Sequence, residues 1–152
     1  MTIYFDMDGT IADLYSVENW LPKLRGENPT PYRDAKPLVN MRVLARVLHT
    51  LQNEGVDIGI ISWLSRSGSE DYSEKVTATK IKWLKTHLGS VEFNEIHIIP
   101  YGVPKSTVAK KGSILFDDEA QNRKEFMIAD DSNMAFDVDN IIEILKNIII
   151  KK

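Results

Sequence analysis

The chain contains no cysteine among its 152 residues. This absence excludes disulfide bonds, zinc sites built from cysteine and a thiol nucleophile, and it is compatible with a reducing compartment. No stretch approaches the roughly 18 apolar residues that span a membrane. A strand predicted to begin at residue 2 leaves no room for a signal peptide. We therefore expect a cytoplasmic protein with no membrane partner.

An excess of basic charge is also missing. Lysine and arginine number 19 against 22 acidic residues, the net charge is −3, and no long basic run occurs. Because proteins hold duplex nucleic acid mainly through its phosphates, we do not expect duplex binding. The length and the 43% of hydrophobic residues fit one domain with a buried core, which we place at residues 1–152.

Short apolar runs alternate with helical patterns along the chain. Buried strands are predicted near residues 2–5, 56–61, 95–99, 113–116 and 134–136. Helices are predicted near residues 38–54, 70–88, 119–126 and 139–150, with a further short helix between residues 14 and 24. This alternation is typical of an α/β fold with a central, mostly parallel sheet between two layers of helices.

The helix predicted over residues 70–88 carries several lysines. Its periodicity turns four apolar residues toward the core, namely Val76, Ile81, Leu84 and Leu88. The same rotation turns most of the basic residues outward, namely Lys75, Lys80, Lys82 and Lys85. We expect these lysines to form a solvated face.

Two aspartates one residue apart, Asp6 and Asp8, follow the first predicted strand. If the strand continues, their side chains point to the same side, because strand side chains repeat every two residues. Two buried carboxylates that converge in this way repel each other unless a cation lies between them. The alternative is that the strand ends in a solvated, aspartate-rich turn.

Other polar residues also follow predicted strands. Ser62 ends the second strand, Asp117 and Asp118 follow the fourth, and Lys105 lies in the loop before it. The carboxyl ends of parallel strands meet at one edge of a sheet, where ligands bind. Carboxylates there suit Mg²⁺, one free carboxylate oxygen can attack phosphorus, and a lysine with a hydroxyl can hold phosphoryl oxygens. These residue types together predict phosphoryl transfer.

Four segments in this order resemble the motifs of haloacid dehalogenase superfamily phosphatases. They are residues 3–10 with Asp-x-Asp-Gly-Thr, residues 59–62 ending in serine, Lys105, and residues 114–122 with an acidic pair. The resemblance spans residues 2–122 and implies a Rossmann-like core of three layers. It also implies a cap after the first strand, for which only about residues 14–37 remain. So small a lid would leave the site open unless a partner in a homo-oligomer covers it.

The resemblance implies a role for each motif residue. Asp6 would be the nucleophile that forms an aspartyl-phosphate. Asp8 would be the general acid that protonates the leaving oxygen and later the base that activates water. Ser62 and Lys105 would bind the phosphoryl group. We add Trp63 to the phosphate-binding residues because it directly follows Ser62. Trp63 either lines the substrate pocket or belongs to the core.

The resemblance also implies a set of magnesium ligands. They would be the Asp6 carboxylate, the main-chain carbonyl of Asp8 and the Asp117 carboxylate, with Asp118 acting directly or through a metal-bound water. Asn122 either supports this acidic pair or is an ordinary helix residue.

The lysine assignment keeps an alternative. Lys110 and Lys111 lie closer to the fourth strand than Lys105 does. We favour Lys105, because the other two more simply flank the strand as solvated charges.

The Phe-Asp-Asp sequence with a lysine close upstream most resembles the 5′-deoxyribonucleotidases. It implies Mg²⁺-dependent hydrolysis of a small phosphorylated substrate, with a nucleotide favoured, although the short cap departs from the mammalian members. Alternatives in the same class are a polynucleotide 3′-phosphatase, suggested by the loop rich in serine, arginine and glycine after Ser62, and another small-metabolite phosphatase. An alternative from another class is a phospho-accepting receiver-like switch, but such a module has its acidic pair at the first strand.

Overall fold

The structure is a computed structural model that describes residues 1–151. Five parallel strands form the central sheet, namely β1 (Thr2–Phe5), β4 (Asp57–Trp63), β5 (Glu95–Ile99), β6 (Ile114–Phe116) and β7 (Met134–Phe136). Their order across the sheet is β5-β4-β1-β6-β7. A separate antiparallel pair consists of β2 (Ala12–Asp13) and β3 (Lys36–Pro37).

Six helices accompany the strands in the described part of the chain. They are α1 (Trp20–Arg25), α2 (Thr30–Asp34), α3 (Met41–Asn53), α4 (Glu70–His87), α5 (Ala120–Ala129) and α6 (Ile141–Lys151). Within residues 1–151, no helix has both the length and the apolar content needed to cross a membrane.

Helices cover both faces of the sheet. Phe5 of the central strand β1 packs in a core cluster with Leu48 of α3 and Leu145 of α6. Tyr4 points the other way, into a second cluster with Phe126 of α5. This alternation follows from the two-residue repeat of a strand. The predicted three-layer α/β fold with a parallel central sheet is confirmed.

Two predicted boundaries differ from the structure. The helix expected from residue 38 begins at Met41, because the Asn40 side chain caps it by accepting the Val43 N–H at 3.2 Å. The strand expected to end at Ser62 continues to Trp63, which pairs with β5.

The short helix predicted between residues 14 and 24 corresponds to α1, and a second helix that was not predicted, α2, follows it after Gly26 and Pro29. We call residues 14–35 the lid. Pairing of β2 with β3 holds the two ends of the lid together, with Asp13 opposite Lys36.

The lid is also attached to helix α4. The Glu27 carboxylate accepts the Ser69 hydroxyl at 2.7 Å and the Ser69 N–H at 3.0 Å. At the C-terminal end of the lid, the Trp83 indole N–H donates to the Ala35 carbonyl at 2.7 Å. The lid is therefore tied to α4 at two separated points.

Candidate active site

The predicted site residues meet at the carboxyl edge of the sheet. Lys105 Nζ lies 2.8 Å from Asp6 Oδ1 and 2.7 Å from Asp117 Oδ2. Lys105 is only 2% exposed, whereas Lys110 and Lys111 are exposed. The structure thus brings Lys105, and neither of its two rivals, to the predicted nucleophile.

The turn that carries Lys105 is fixed to helix α5. Lys105 begins a short 3-10 turn, Lys105–Thr107, and the Ser106 hydroxyl donates to Glu125 Oε2 at 2.6 Å. Burial favours the neutral amine, but the charges of Asp6 and Asp117 outweigh it and raise the pKa of Lys105. The lysine therefore stays charged beside the carboxylates.

The acidic pair after β6 is held by several donors. Asp117 Oδ1 accepts the Glu119 N–H at 2.9 Å, and Asp117 Oδ2 accepts the Asn122 amide at 3.2 Å. Asn122 therefore supports the acidic pair, which decides between its two interpretations. Burial and the nearby charge of Asp6 raise the pKa of Asp117 to about 6 and that of Asp118 to about 7.

The sequence interpretation assigned no role to Thr10 or Gly9. Thr10 Oγ1 lies 3.1 Å from Asp6 Oδ2 and 3.3 Å from Asp118 Oδ1, and it accepts the Asp118 N–H at 3.2 Å. Gly9 has a φ of +80°, and a Cβ there would collide with the Asp118 carboxylate and with the Tyr15 ring. The position of these two residues in the Asp-x-Asp-Gly-Thr motif could have indicated that they belong to the site.

Three carboxylates form a group that can hold a metal ion. Oxygen atoms of Asp6, Asp117 and Asp118 lie within 4.8 Å of one another. All are the hard oxygen donors that Mg²⁺ prefers. The raised pKa values of Asp117 and Asp118 reflect burial and the Asp6 charge, and a divalent cation would offset that concentration of negative charge. The donor set therefore fits magnesium.

Asp8 is not one of the three carboxylates of this group, although the charge of Asp6 is close enough to help raise its pKa. The expected convergence of the Asp6 and Asp8 carboxylates required a continuing strand, but β1 ends at Phe5. Asp8 lies instead in a tight turn, in which the Met7 carbonyl accepts the Thr10 N–H at 3.0 Å.

The carboxylate of Asp8 faces a second buried lysine, Lys80 of α4. Lys80 Nζ donates to Asp8 Oδ2 at 2.8 Å, to Ser62 Oγ at 2.7 Å and to the Trp63 carbonyl at 2.7 Å. Burial raises the pKa of Asp8, Lys80 opposes this effect, and the charge of Asp6 adds to it.

The prediction that Lys80 is solvated is therefore wrong. Lys80 is 1% exposed. It lies four residues from both Val76 and Leu84, which are buried, so it shares their helix face. Ile81, predicted inward, is only partly buried. The spacing from Val76 and Leu84 was the signal for an inward Lys80.

A cavity of about 800 Å³ opens beside Asp6 and Asp8. The lid contributes Tyr15, Trp20 and Tyr32 to its wall. The rings of Tyr15 and Trp20 meet edge to face, with 5.0 Å between their centroids. The chain's own lid therefore lines the site, where the sequence suggested an open site or a partner subunit.

The cavity wall also contains Trp63 and Tyr101, with 5.0 Å between their ring centroids. The Trp63 indole N–H donates to the Val103 carbonyl at 2.8 Å, and Lys105 Nζ lies 5.5 Å from the Trp63 ring centroid. Since that N–H is already engaged, Trp63 offers the cavity a ring surface rather than a free hydrogen-bond donor.

Comparison with known proteins identifies the fold. No protein-family model and no curated protein sequence matches the chain significantly. A crystal structure of D,D-heptose 1,7-bisphosphate phosphatase from Burkholderia thailandensis matches with a TM-score of 0.54 and 8% identity over 97% of each chain. The same enzyme from B. bronchiseptica, complexed with magnesium and phosphate, matches with a TM-score of 0.57 and 9% identity over 99% of each chain. The chain shares the fold of these phosphatases from end to end.

Proposed function

We propose that this protein is a Mg²⁺-dependent phosphomonoester hydrolase of the haloacid dehalogenase type. The observation that carries the proposal is the setting of Asp6. Its two carboxylate oxygens contact Lys105 and Thr10, and its neighbours Asp117 and Asp118 complete a three-carboxylate group. A buried carboxylate between a fixed cation and a metal-type donor set is suited to attack on phosphorus.

The proposed reaction has two steps. Asp6 attacks phosphorus, the bond between phosphorus and the leaving oxygen breaks, and Asp8 gives its proton to that oxygen. Asp8 then takes a proton from the water that attacks the aspartyl-phosphate, which releases inorganic phosphate and restores Asp6. Lys105 and Ser62 bind the phosphoryl oxygens throughout.

Magnesium would be held by the carboxylates of Asp6 and Asp117 and by the main-chain carbonyl of Asp8, with Asp118 contributing directly or through water. When bound, the ion supplies positive charge that offsets the charge of the carboxylates and the phosphoryl group. The magnesium and phosphate in the B. bronchiseptica enzyme support this assignment.

For the substrate we propose a 5′-nucleotide. A flat base can stack on aromatic side chains, and several of them line the cavity, including Trp20 and Tyr101. Arg25 and Arg66 also line the cavity and suit an anionic ligand. A sugar phosphate is the second candidate, since the two structural neighbours are named for a heptose bisphosphate.

A substrate panel tests both parts of the proposal. The purified protein is assayed for phosphate release with Mg²⁺ and with EDTA. The panel contains deoxy- and ribonucleoside 5′- and 3′-monophosphates, 3′-phosphorylated oligonucleotides, heptose 1,7-bisphosphate and p-nitrophenyl phosphate. We expect Mg²⁺-dependent release, fastest from a 5′-nucleotide. No release from any compound contradicts the reaction, whereas preference for another compound contradicts only the substrate.

A further inference from the structure

Lys80 lies outside the four motifs, yet its ammonium group is buried in the site. We propose that Lys80 is a positioning residue that holds the Asp8 carboxylate and the Ser62 hydroxyl in their working orientations. The inference rests on the proposed function, because Asp8 and Ser62 have these roles only in phosphoryl transfer.

The two buried lysines, Lys105 and Lys80, contact different carboxylates of the site. Lys105 contacts Asp6 and Asp117, the residues assigned to attack and to metal binding. Lys80 contacts Asp8, the residue assigned to proton transfer, with its side chain 1% exposed and that of Asp8 18% exposed. Because each lysine faces a different part of the chemistry, the loss of Lys80 is expected to affect proton transfer more than attack.

The hydrogen bonds of Lys80 fix the orientation of Ser62. An ammonium group has three N–H donors and no acceptor, and the three contacts to Asp8, Ser62 and the Trp63 carbonyl occupy all of them. Ser62 Oγ is the acceptor in its contact, so Lys80 leaves the hydroxyl hydrogen of this buried serine free to be donated to another group. Lys80 thus makes Ser62 a donor.

Lys80 is held from the lid side as well. Its Nζ lies 4.7 Å from the centroid of the Tyr32 ring, and the Tyr32 hydroxyl lies 2.5 Å from Ser65 Oγ in the loop after β4. The ammonium group therefore connects α4, the lid, the end of β4 and the turn that carries Asp8. Rotation of the Asp8 side chain would break its bond to this fixed group.

A purely structural role is the competing explanation. A buried ion pair is weak evidence for stability, because well-packed apolar residues often replace such pairs without loss. Lys80→Met tests the two explanations, since it keeps the length of the side chain and removes the charge and all three donors. Lys82→Met is the matched control, because Lys82 is exposed on the same helix.

The assay compares p-nitrophenyl phosphate with phenyl phosphate, whose leaving oxygen needs a proton far more. For Lys80→Met we expect kcat to fall about 100-fold with phenyl phosphate, the lower end of the range of general acid catalysis, and only about 10-fold with p-nitrophenyl phosphate. In an Asp8→Asn background, Lys80→Met should add no further difference between the two esters. Lys82→Met should match the wild type.

Circular dichroism and thermal melting establish that each variant is folded. If Lys80→Met does not fold, Lys80→Arg replaces it, because arginine keeps the charge but cannot direct three donors from one nitrogen. A folded variant with equal kcat losses for the two esters, or with none, overturns the positioning role. A wild-type protein that releases no phosphate from any compound of the substrate panel with Mg²⁺ refutes the proposed function, and with it this inference.

Discussion

The carboxyl edge of the sheet and the lid contribute different kinds of side chain to one cavity. At the edge, Lys105 and the buried carboxylates of Asp6 and Asp117 are paired at 2.7–2.8 Å. The lid contributes rings such as those of Tyr15 and Trp20. Its Ala35 carbonyl and Glu27 carboxylate accept hydrogen bonds from α4 and from the residue that caps it. We infer that residues at the sheet edge perform the reaction, whereas residues of the lid bind the rest of the substrate. Changes at the edge should then alter kcat, and changes in the lid should alter KM.

The largest effect is expected at Asp6. Asp6→Asn should lower kcat by at least about 1,000-fold, because an amide cannot form the acyl-phosphate. The melting temperature should change little. Asp131→Asn makes the same chemical change at an exposed position and should retain full activity. Retention of more than about a tenth of the wild-type rate in Asp6→Asn would reject the nucleophile.

The second largest effect is expected from the loss of a magnesium ligand at the sheet edge, Asp117. Asp117→Asn should lower kcat at least about 100-fold and abolish the rise in melting temperature that Mg²⁺ causes, because ligand binding stabilises only a protein with an intact site. Differential scanning fluorimetry with and without Mg²⁺ measures the rise. An undiminished Mg²⁺ effect in the variant would place the metal elsewhere.

The same Mg²⁺ effect should depend on pH. Burial and the charge of Asp6 raise the folded pKa of Asp118 from 3.8 to about 7. The metal-free folded protein therefore binds protons more tightly than the unfolded chain. Its free energy of unfolding falls as pH rises from about 4 to about 7, between the unfolded and folded pKa values of Asp118. Mg²⁺ needs the ionised carboxylates, so its stabilising effect should be larger at about pH 8 than at about pH 5.5. Equal shifts at both values would contradict this assignment.

A smaller effect is expected in the lid. Trp20→Ala should raise KM for a 5′-nucleotide about tenfold, as expected for the loss of one base stack, with kcat nearly unchanged. Helix α1 has no buried residue, so the variant should fold. Acetyl phosphate, which has no ring, serves as the control substrate and should keep its KM. Equal changes for both substrates would argue against stacking on the lid.

The smallest effect is expected from the tie between Glu27 and Ser69. Glu27→Gln weakens a contact at the surface, so KM should rise only about twofold, while hydrogen exchange of residues 14–35 should become faster. Glu74→Gln, an exposed change on α4, is the control. Unchanged exchange in the lid would show that this tie does not hold it.

The difference between the sheet edge and the lid also explains how much of the site could be predicted from the sequence. Residues at the edge follow buried strands, so the apolar runs that precede them identify Asp6, Ser62 and Asp117 in the sequence. The fold followed from the alternation of strands and helices. The lid was harder, because short helices and single aromatic residues carry no spacing that identifies a partner.

Lys80 shows why a periodic pattern alone was insufficient. A lysine on an inward helix position conflicts with the hydrophobic pattern, and the general rule that lysines are exposed favoured the outward interpretation. The rule fails at Lys80 because Asp8 and Ser62, from distant parts of the chain, supply its partners. Such a site depends on tertiary contacts that no local window contains.

Trapping of the covalent intermediate tests the central claim most directly. The protein is mixed with Mg²⁺ and a substrate that it turns over, quenched with acid during turnover and treated with borohydride, which reduces an acyl-phosphate to an alcohol. Mass spectrometry should then find the reduced residue at position 6 and at no other aspartate. Reduction at another aspartate, or none while phosphate is released, would contradict catalysis through Asp6.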